Sequence, residues 1–166
     1  MFWACWLNGA KGFTYGANGI WQVNTREKPY GPSPHGMAWG DTPWEEAYRL
    51  PGSAQLGMAK QLLERYEWWR IEPHPEWVEP HWNEQNFFLP HAAGIPGELR
   101  LIYAPAYQWR LTVKALEPGV SYRAFLFDPA TGQETVLGEA RGDEQGSWTT
   151  PVLPKFQDWL LVLDRG

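Results

Sequence analysis

Apolar residues change their spacing along the chain. Up to residue 66 they fall in short helical blocks broken by glycine and proline, and beyond residue 87 they gather into strand-length runs. The first block, Phe2, Trp3, Cys5, Trp6 and Leu7, reads as a helix end that stops at Asn8-Gly9, where glycine can take the left-handed C-terminal conformation. Its apolar surface is in place from the first residue, which predicts that upstream material or another chain covers this face. Phe13-Thr14-Tyr15 reads as a short buried strand between glycines, with Ala17 to Trp21 as its loop. From Val23 to Gly40 proline, glycine, lysine and histidine break every period, so a long surface loop is expected.

Thr42-Pro43-Trp44-Glu45 reads as a capping box, with Thr42 as N-cap and Pro43 at the first position of a short helix to Leu50. Pro51-Gly52 is expected to end it. Ser53 then caps a second helix reaching Tyr66, with Met58, Ala59, Leu62, Leu63 and Tyr66 on one face. After Trp68-Trp69-Arg70, the proline-broken residues 74–86 read as a linker packed across the surface. Strand-like runs follow at 99–103, 109–113, 122–127, 135–137 and 159–163, and Asp128-Pro129-Ala130-Thr131-Gly132 reads as a hairpin connection. Such spacing predicts an antiparallel sandwich or open barrel, and the chain as a whole is α+β.

Composition narrows the functional classes. The formal charge of −5, with lysines and arginines scattered singly, gives no electrostatic footprint for nucleic acid or an anionic membrane surface. No run approaches the length of a membrane-spanning helix, and no signal peptide is visible, so a cytoplasmic location is expected if Met1 is the true start. The single Cys5 excludes an intramolecular disulfide and is expected to serve packing. The 12 Trp suit either a core or a carbohydrate site.

Glycoside hydrolysis needs two carboxylates about 5–10 Å apart across the sugar, and no acidic residue sits convincingly for that. Asp41, Glu45 and Glu46 are explained by a helix start, and Glu64, Glu67 and Glu72 by solvated positions. His35, His74, His81 and His91 lie in proline-rich loops without metal-ligand spacing, so neither a metal nor a cofactor is expected. What remains is Gly12 to Gln22. There Tyr15, Asn18, Trp21 and Gln22 offer rings, a phenol and two amides for the apolar face and hydroxyls of a sugar. The alternative is a glycine-rich turn that packs its aromatics inward.

Phe2-Trp3-Ala4, Gly9 through Gly16, Ile20-Trp21-Gln22, Trp44, Leu50 through Gln55, and Trp68-Trp69-Arg70 with Pro73 resemble, in order and spacing, the C-terminal end of the apiosidase-like (β/α)-barrel glycoside hydrolases. Ile102-Tyr103, Phe127 through Gly132, and Pro154 with Asp158 through Leu163 resemble the β domain that follows such barrels, labelled a collagen-binding domain of a collagenase. The resemblance implies that residues 1–73 are the closing end of a TIM-type barrel, 74–86 a linker and 87–166 an antiparallel β-sandwich. Residues 1–11 would be the barrel's seventh helix and 12–16 its eighth strand, placing Tyr15, Asn18 and Trp21 on the substrate side.

The family's catalytic carboxylates belong to strands upstream of these blocks, so the resemblance carries over no catalytic residue. It implies a C-terminal portion that is inactive alone, with carbohydrate as ligand and an upstream barrel portion or second polypeptide as partner. Two other functions stay open. The β domain could bind glycan or matrix protein through Trp109, Trp148, Tyr103 and Tyr107, or it could stabilise a barrel structurally through Trp68, Trp69, Trp77 and Trp82.

Overall fold

Apolar runs beyond residue 87 pair side by side into one wide sheet. The structure, a computed structural model, describes residues 1–28, 42–105 and 108–165. In spatial order the wide sheet holds β1 (Glu72–Pro73), β3 (His91–Ile95), β4 (Leu99–Ala104), β9 (Trp159–Asp164), β6 (Ser121–Phe127) and β7 (Glu134–Arg141), each antiparallel to its neighbour. A smaller antiparallel sheet holds β2 (Val78–Glu79), β5 (Thr112–Val113) and β8 (Trp148–Thr149). The helices are α1 (Phe2–Trp6), α2 (Trp44–Ala47) and α3 (Pro51–Leu63).

Strands β4, β9 and most of β6 are apolar at successive positions because both faces of the wide sheet are covered. Ile102, Ala104, Tyr122, Ala124, Leu126, Leu161 and Leu163 face one core, which they share with Val78 and Val113 of the smaller sheet. The alternate residues Leu99, Leu101, Tyr103, Phe125, Phe127, Leu160 and Val162 face a second core with Trp3 of α1, Leu7 at its C-cap, and Ala59, Leu62 and Leu63 of α3. The layers are therefore helices, wide sheet and small sheet, an α+β arrangement without a closed barrel among the described residues. Edge strand β7 is largely exposed and carries Glu134, Glu139 and Arg141, charges that discourage pairing with another chain.

Several local expectations are corrected. Residues 12–16 form no strand, and Phe13 and Tyr15 are exposed, because no described strand lies alongside to pair with them. Pro43, not Thr42, occupies the N-cap of α2, and no side chain caps it. Pro51 starts α3 instead of ending the preceding helix, at a position where a missing N–H costs nothing, and Ser53 lies inside its first turn. Cys5 is exposed and does not pack. Trp3 of α1 and Leu7 at its C-cap are buried against this chain's own sheet, while Phe2, Ala4 and Trp6 stay half-buried. Residues 74–86 contribute β2 on their way across the surface. Strand β3 went unread because His91-Ala92-Ala93-Gly94-Ile95 lacks alternation and has a single β-branched residue, at its end.

One polar group lies inside the first core. Arg100 of β4 is fully buried; its guanidinium lies 4.0 Å from the centre of the Trp77 ring, and His74 stacks on that ring at 3.9 Å. Arg100 donates to the carbonyls of Lys114 (2.7 Å) and Ala115 (2.5 Å) and to Glu117 (3.0 Å). Ala115 is held at a φ of 53°, a left-handed conformation that needs such outside support. Gly94 is required beneath Trp77, because a Cβ there would come within 2.8 Å of the indole and 2.1 Å of the Leu99 carbonyl. Burial would raise the Glu117 pKa, but the Tyr122 hydroxyl and Arg100 hold it below the usual range, while burial and Glu117 push Tyr122 up to about 12.

Arg100→Leu leaves the Lys114 and Ala115 carbonyls and Glu117 without their donor. Urea unfolding should show a loss of about 3 kcal/mol, and Arg100→Lys should not recover it, because an ammonium cannot serve both carbonyls and the carboxylate in one plane.

Candidate functional site

The loop following α1 is fixed from behind. The Asn24 amide donates to the Gly19 carbonyl and the Trp44 amide to the Asn24 carbonyl, both at 2.8 Å, tying the loop to the start of α2. Gly19 has a φ of 96°, and a Cβ there would lie 2.3 Å from the Thr42 carbonyl oxygen, so the close approach requires glycine. Gln22 is buried, with Oε1 accepting the Gly19 amide at 2.9 Å. It braces the loop from inside, whereas Asn18 and Trp21 stand at the surface, Trp21 with 69% of its area exposed. The base of the Trp21 side chain packs 3.7 Å from the position a Gly16 Cβ would take, beside Tyr15. Tyr15 lies over the first turn of α3, where a Cβ on Gly52 would come within 2.5 Å of its hydroxyl.

From Tyr15 a cleft of about 500 Å³ opens between the helices and one end of the wide sheet, a size suited to a small ligand. Tyr15 and Gln55 line it from the helical side, and Tyr103, Asp128, Gln157 and Asp158 from the sheet side. Of the four residues singled out in the sequence, Tyr15 reaches this cleft; Asn18, Trp21 and Gln22 do not line it. The sheet-side residues were missed because Asp128 reads as a turn residue, and nothing local shows that this turn faces a helix. The one available signal was Asp158, an exposed acid directly before the apolar run of β9.

Its carboxylates are acceptors. Asp158 takes a hydrogen bond from the Tyr103 hydroxyl at 2.7 Å, and burial together with this carboxylate drives the tyrosine pKa upward. Burial would raise Asp128 too, but the Ala130 amide at 2.8 Å, with Gln157 and Thr131, holds its carboxyl below the usual range. A general acid for glycoside cleavage needs the opposite shift. Among the described residues no group of three His, Cys, Asp or Glu side chains could hold a metal. His35, Asp41 and Tyr107 lie outside the described residues.

Tyr103 is positioned by an aromatic ladder. Phe87, Trp82, His91 and Tyr103 follow one another with ring centres 6.1, 5.6 and 6.1 Å apart. His91 Nε2–H donates to the Phe87 carbonyl at 3.1 Å, and its Nδ1 accepts from Asn8 at 2.8 Å, joining the end of α1 to β3. The other tryptophans proposed as contacts divide clearly. Trp77 is buried in the first core, Trp148 half-buried against it, and Trp68, Trp69 and Trp109 are exposed.

The fold matches solved glycoside hydrolases. One, described as a glycoside hydrolase, aligns with a TM-score of 0.78 at 19% identity over 99% of this chain and 36% of its own. Another, a glycoside hydrolase family 5 protein from Bacteroides vulgatus ATCC 8482, aligns with a TM-score of 0.73 at 20% identity over 98% of this chain and 35% of its own. Residues 1–70 match the family model described as apiosidase-like, catalytic domain. This match agrees with the apiosidase-like resemblance read from the first part of the sequence, and the chain spans little more than a third of the length of these structures. No curated protein matches the chain.

Burial holds the His91 pKa below its ordinary 6.5, so the unfolded chain binds this proton more readily than the folded one. Its contribution to stability is complete above pH 6.5 and is lost as pH falls from there through the lower folded value. Urea midpoints at pH 7.5 and 5.5 should differ in the native chain, and His91→Gln should remove the part of that difference due to His91.

Proposed function

We propose that this chain is the C-terminal portion of a glycoside-hydrolase-like protein, supplying one wall of a carbohydrate site and an accessory β domain, and that it is not catalytic alone. The observation that carries this reading is the match of residues 1–70 to a catalytic-domain family in a chain spanning only 36% of a glycoside hydrolase of the same fold. On this reading residues 1–73 close a TIM-type barrel, 74–86 connect, and 87–166 form the β domain. Residues 12–16 are the eighth barrel strand and pair only when its neighbours are present, which accounts for their exposure here. Tyr15, Asn18 and Trp21 face the sugar, Gln22 shapes their loop, and the catalytic carboxylates come from an upstream portion or a second polypeptide.

A second reading has one observation in its favour. Trp109 and Phe156 are both exposed, with ring centres 5.7 Å apart, a surface suited to stacking on a sugar and so to a non-catalytic glycan-binding module. The structural reading is weaker: Trp68 and Trp69 do not form the contact between helices and sheet, which is made by Trp3, Leu7, Ala59, Leu62, Leu63 and Ile71. Trp69→Ala should accordingly shift stability by no more than about 0.5 kcal/mol.

The purified chain should hydrolyse no aryl glycoside or oligosaccharide, and turnover should appear on adding the upstream barrel portion. Trp21→Ala should then lower kcat/KM about tenfold or more while leaving thermal unfolding of the chain unchanged. Robust turnover by the chain alone contradicts the proposal.

A further inference from the structure

The cleft joining the helices to the sheet has a composition that the loop at Tyr15 does not explain. Most of its residues come from elsewhere, and its polar side chains are acidic or neutral. Asp128 and Asp158 are carboxylates, Gln55 and Gln157 are amides, and Tyr15 and Tyr103 are phenols. Among the described residues, no lysine, arginine or histidine side chain lines it. Phe2, Trp3 and Phe13 add apolar ring surface, with Phe2 edge-on to both Trp3 (5.1 Å) and Phe13 (5.4 Å).

These groups are fixed before any ligand arrives. Asp158 holds the Tyr103 hydroxyl, Gln157 bonds Asp128, and the Asp128 turn is pinned by the Ala130 amide and by the Asp128 amide donating to the Gln133 carbonyl at 2.9 Å. A carboxylate accepts at about four positions and an amide both donates and accepts. A neutral polyol ring, with apolar C–H faces and hydroxyls that donate, suits both the rings and these acceptors. Met1 also lines the cleft, and where the chain continues upstream, as proposed above, its nitrogen is an uncharged peptide nitrogen; an anionic ligand would then meet two carboxylates and no cation among the described lining residues, a like-charge contact that opposes binding.

We propose that this cleft is a subsite for an uncharged sugar ring, in which the sheet supplies Asp158 and Gln157 and the helical side supplies Gln55 and Tyr15. The inference rests on the carbohydrate reading above and adds to it two features: the β domain takes part in sugar binding, and uronates or sulfated sugars are rejected.

The test uses the full chain, a glycan array and calorimetry. The array carries neutral hexose and pentose oligosaccharides beside their uronate-containing and sulfated counterparts. Neutral glycans should bind at least tenfold more tightly than acidic ones. Asp158→Asn should shrink that preference by raising acidic binding, and Gln55→Leu should weaken neutral binding about tenfold. Thermal unfolding of both variants should match the native chain, which separates loss of a contact from loss of the fold. Equal binding of acidic and neutral glycans overturns the proposal. So does neutral binding that is abolished by Trp21→Ala yet unchanged in both cleft variants, an outcome that leaves the sugar wall at Trp21 standing. If no glycan binds even with the upstream portion present, both readings fall.

Discussion

A guanidinium with no contact to water sits inside the first core of this protein, and much of the chain's irregular backbone is arranged to receive it. Arg100 projects from the central strand β4 and gathers the Lys114 and Ala115 carbonyls, Glu117 and the Trp77 ring. Without that donor, two carbonyls and a carboxylate would be stranded in a low-dielectric interior, a loss larger than most single contacts. The arrangement fixes more than the residues it touches. Glu117 also accepts from the Gly97 amide at 2.9 Å, so the β3–β4 turn is tied to the same centre. Trp77 brings residues 74–79 against the wide sheet and thereby sets the smaller sheet over it.

With one face occupied in this way, the wide sheet presents its second face to the helices. Tyr103 belongs to this helix-facing set of side chains and lies near the end of β4. That position lets its ring pack beneath the helical layer while its hydroxyl reaches Asp158 at the cleft. The aromatic ladder through His91 links the same tyrosine to Asn8 at the end of α1. Fold and site are thus coupled: the contacts that dock the helices on the sheet also place the polar groups of the cleft.

Much of this was legible in the sequence where local signals and burial agree. The runs of β4, β6 and β9, the Asp128–Gly132 connection, the left-handed Gly9 just beyond α1 and the packed face of α3 all follow from residue pattern alone. Misreadings arose where a partner outside the local segment decides. Phe13-Thr14-Tyr15 has strand propensity but no strand to pair with among the described residues. Pro51 carries equal weight as a helix stop and as a first helical residue, and only the backbone of Leu50 settles which. At the cleft, Tyr15 is the one lining residue among the four singled out in the sequence. Asp128 and Asp158 were not singled out, because the helices and the sheet that enclose the cleft are distant in sequence. Gln22, expected to offer its amide to a sugar, is buried with Oε1 facing the Gly19 amide, an orientation that residue pattern alone does not reveal.

The functional account turns on chemistry that these residues do not supply. The cleft offers acceptors and rings, while the carboxyl shift needed by a glycosidic acid is reversed at Asp128. Under the proposed function, the cleaving groups lie on a neighbouring segment and these residues serve binding. The most direct measurement is the nucleotide sequence of the coding region immediately upstream of the Met1 codon. The account predicts that it encodes a (β/α) barrel, in frame or as an adjacent polypeptide, with two carboxylates at strand C-termini; a region encoding no such barrel would contradict it.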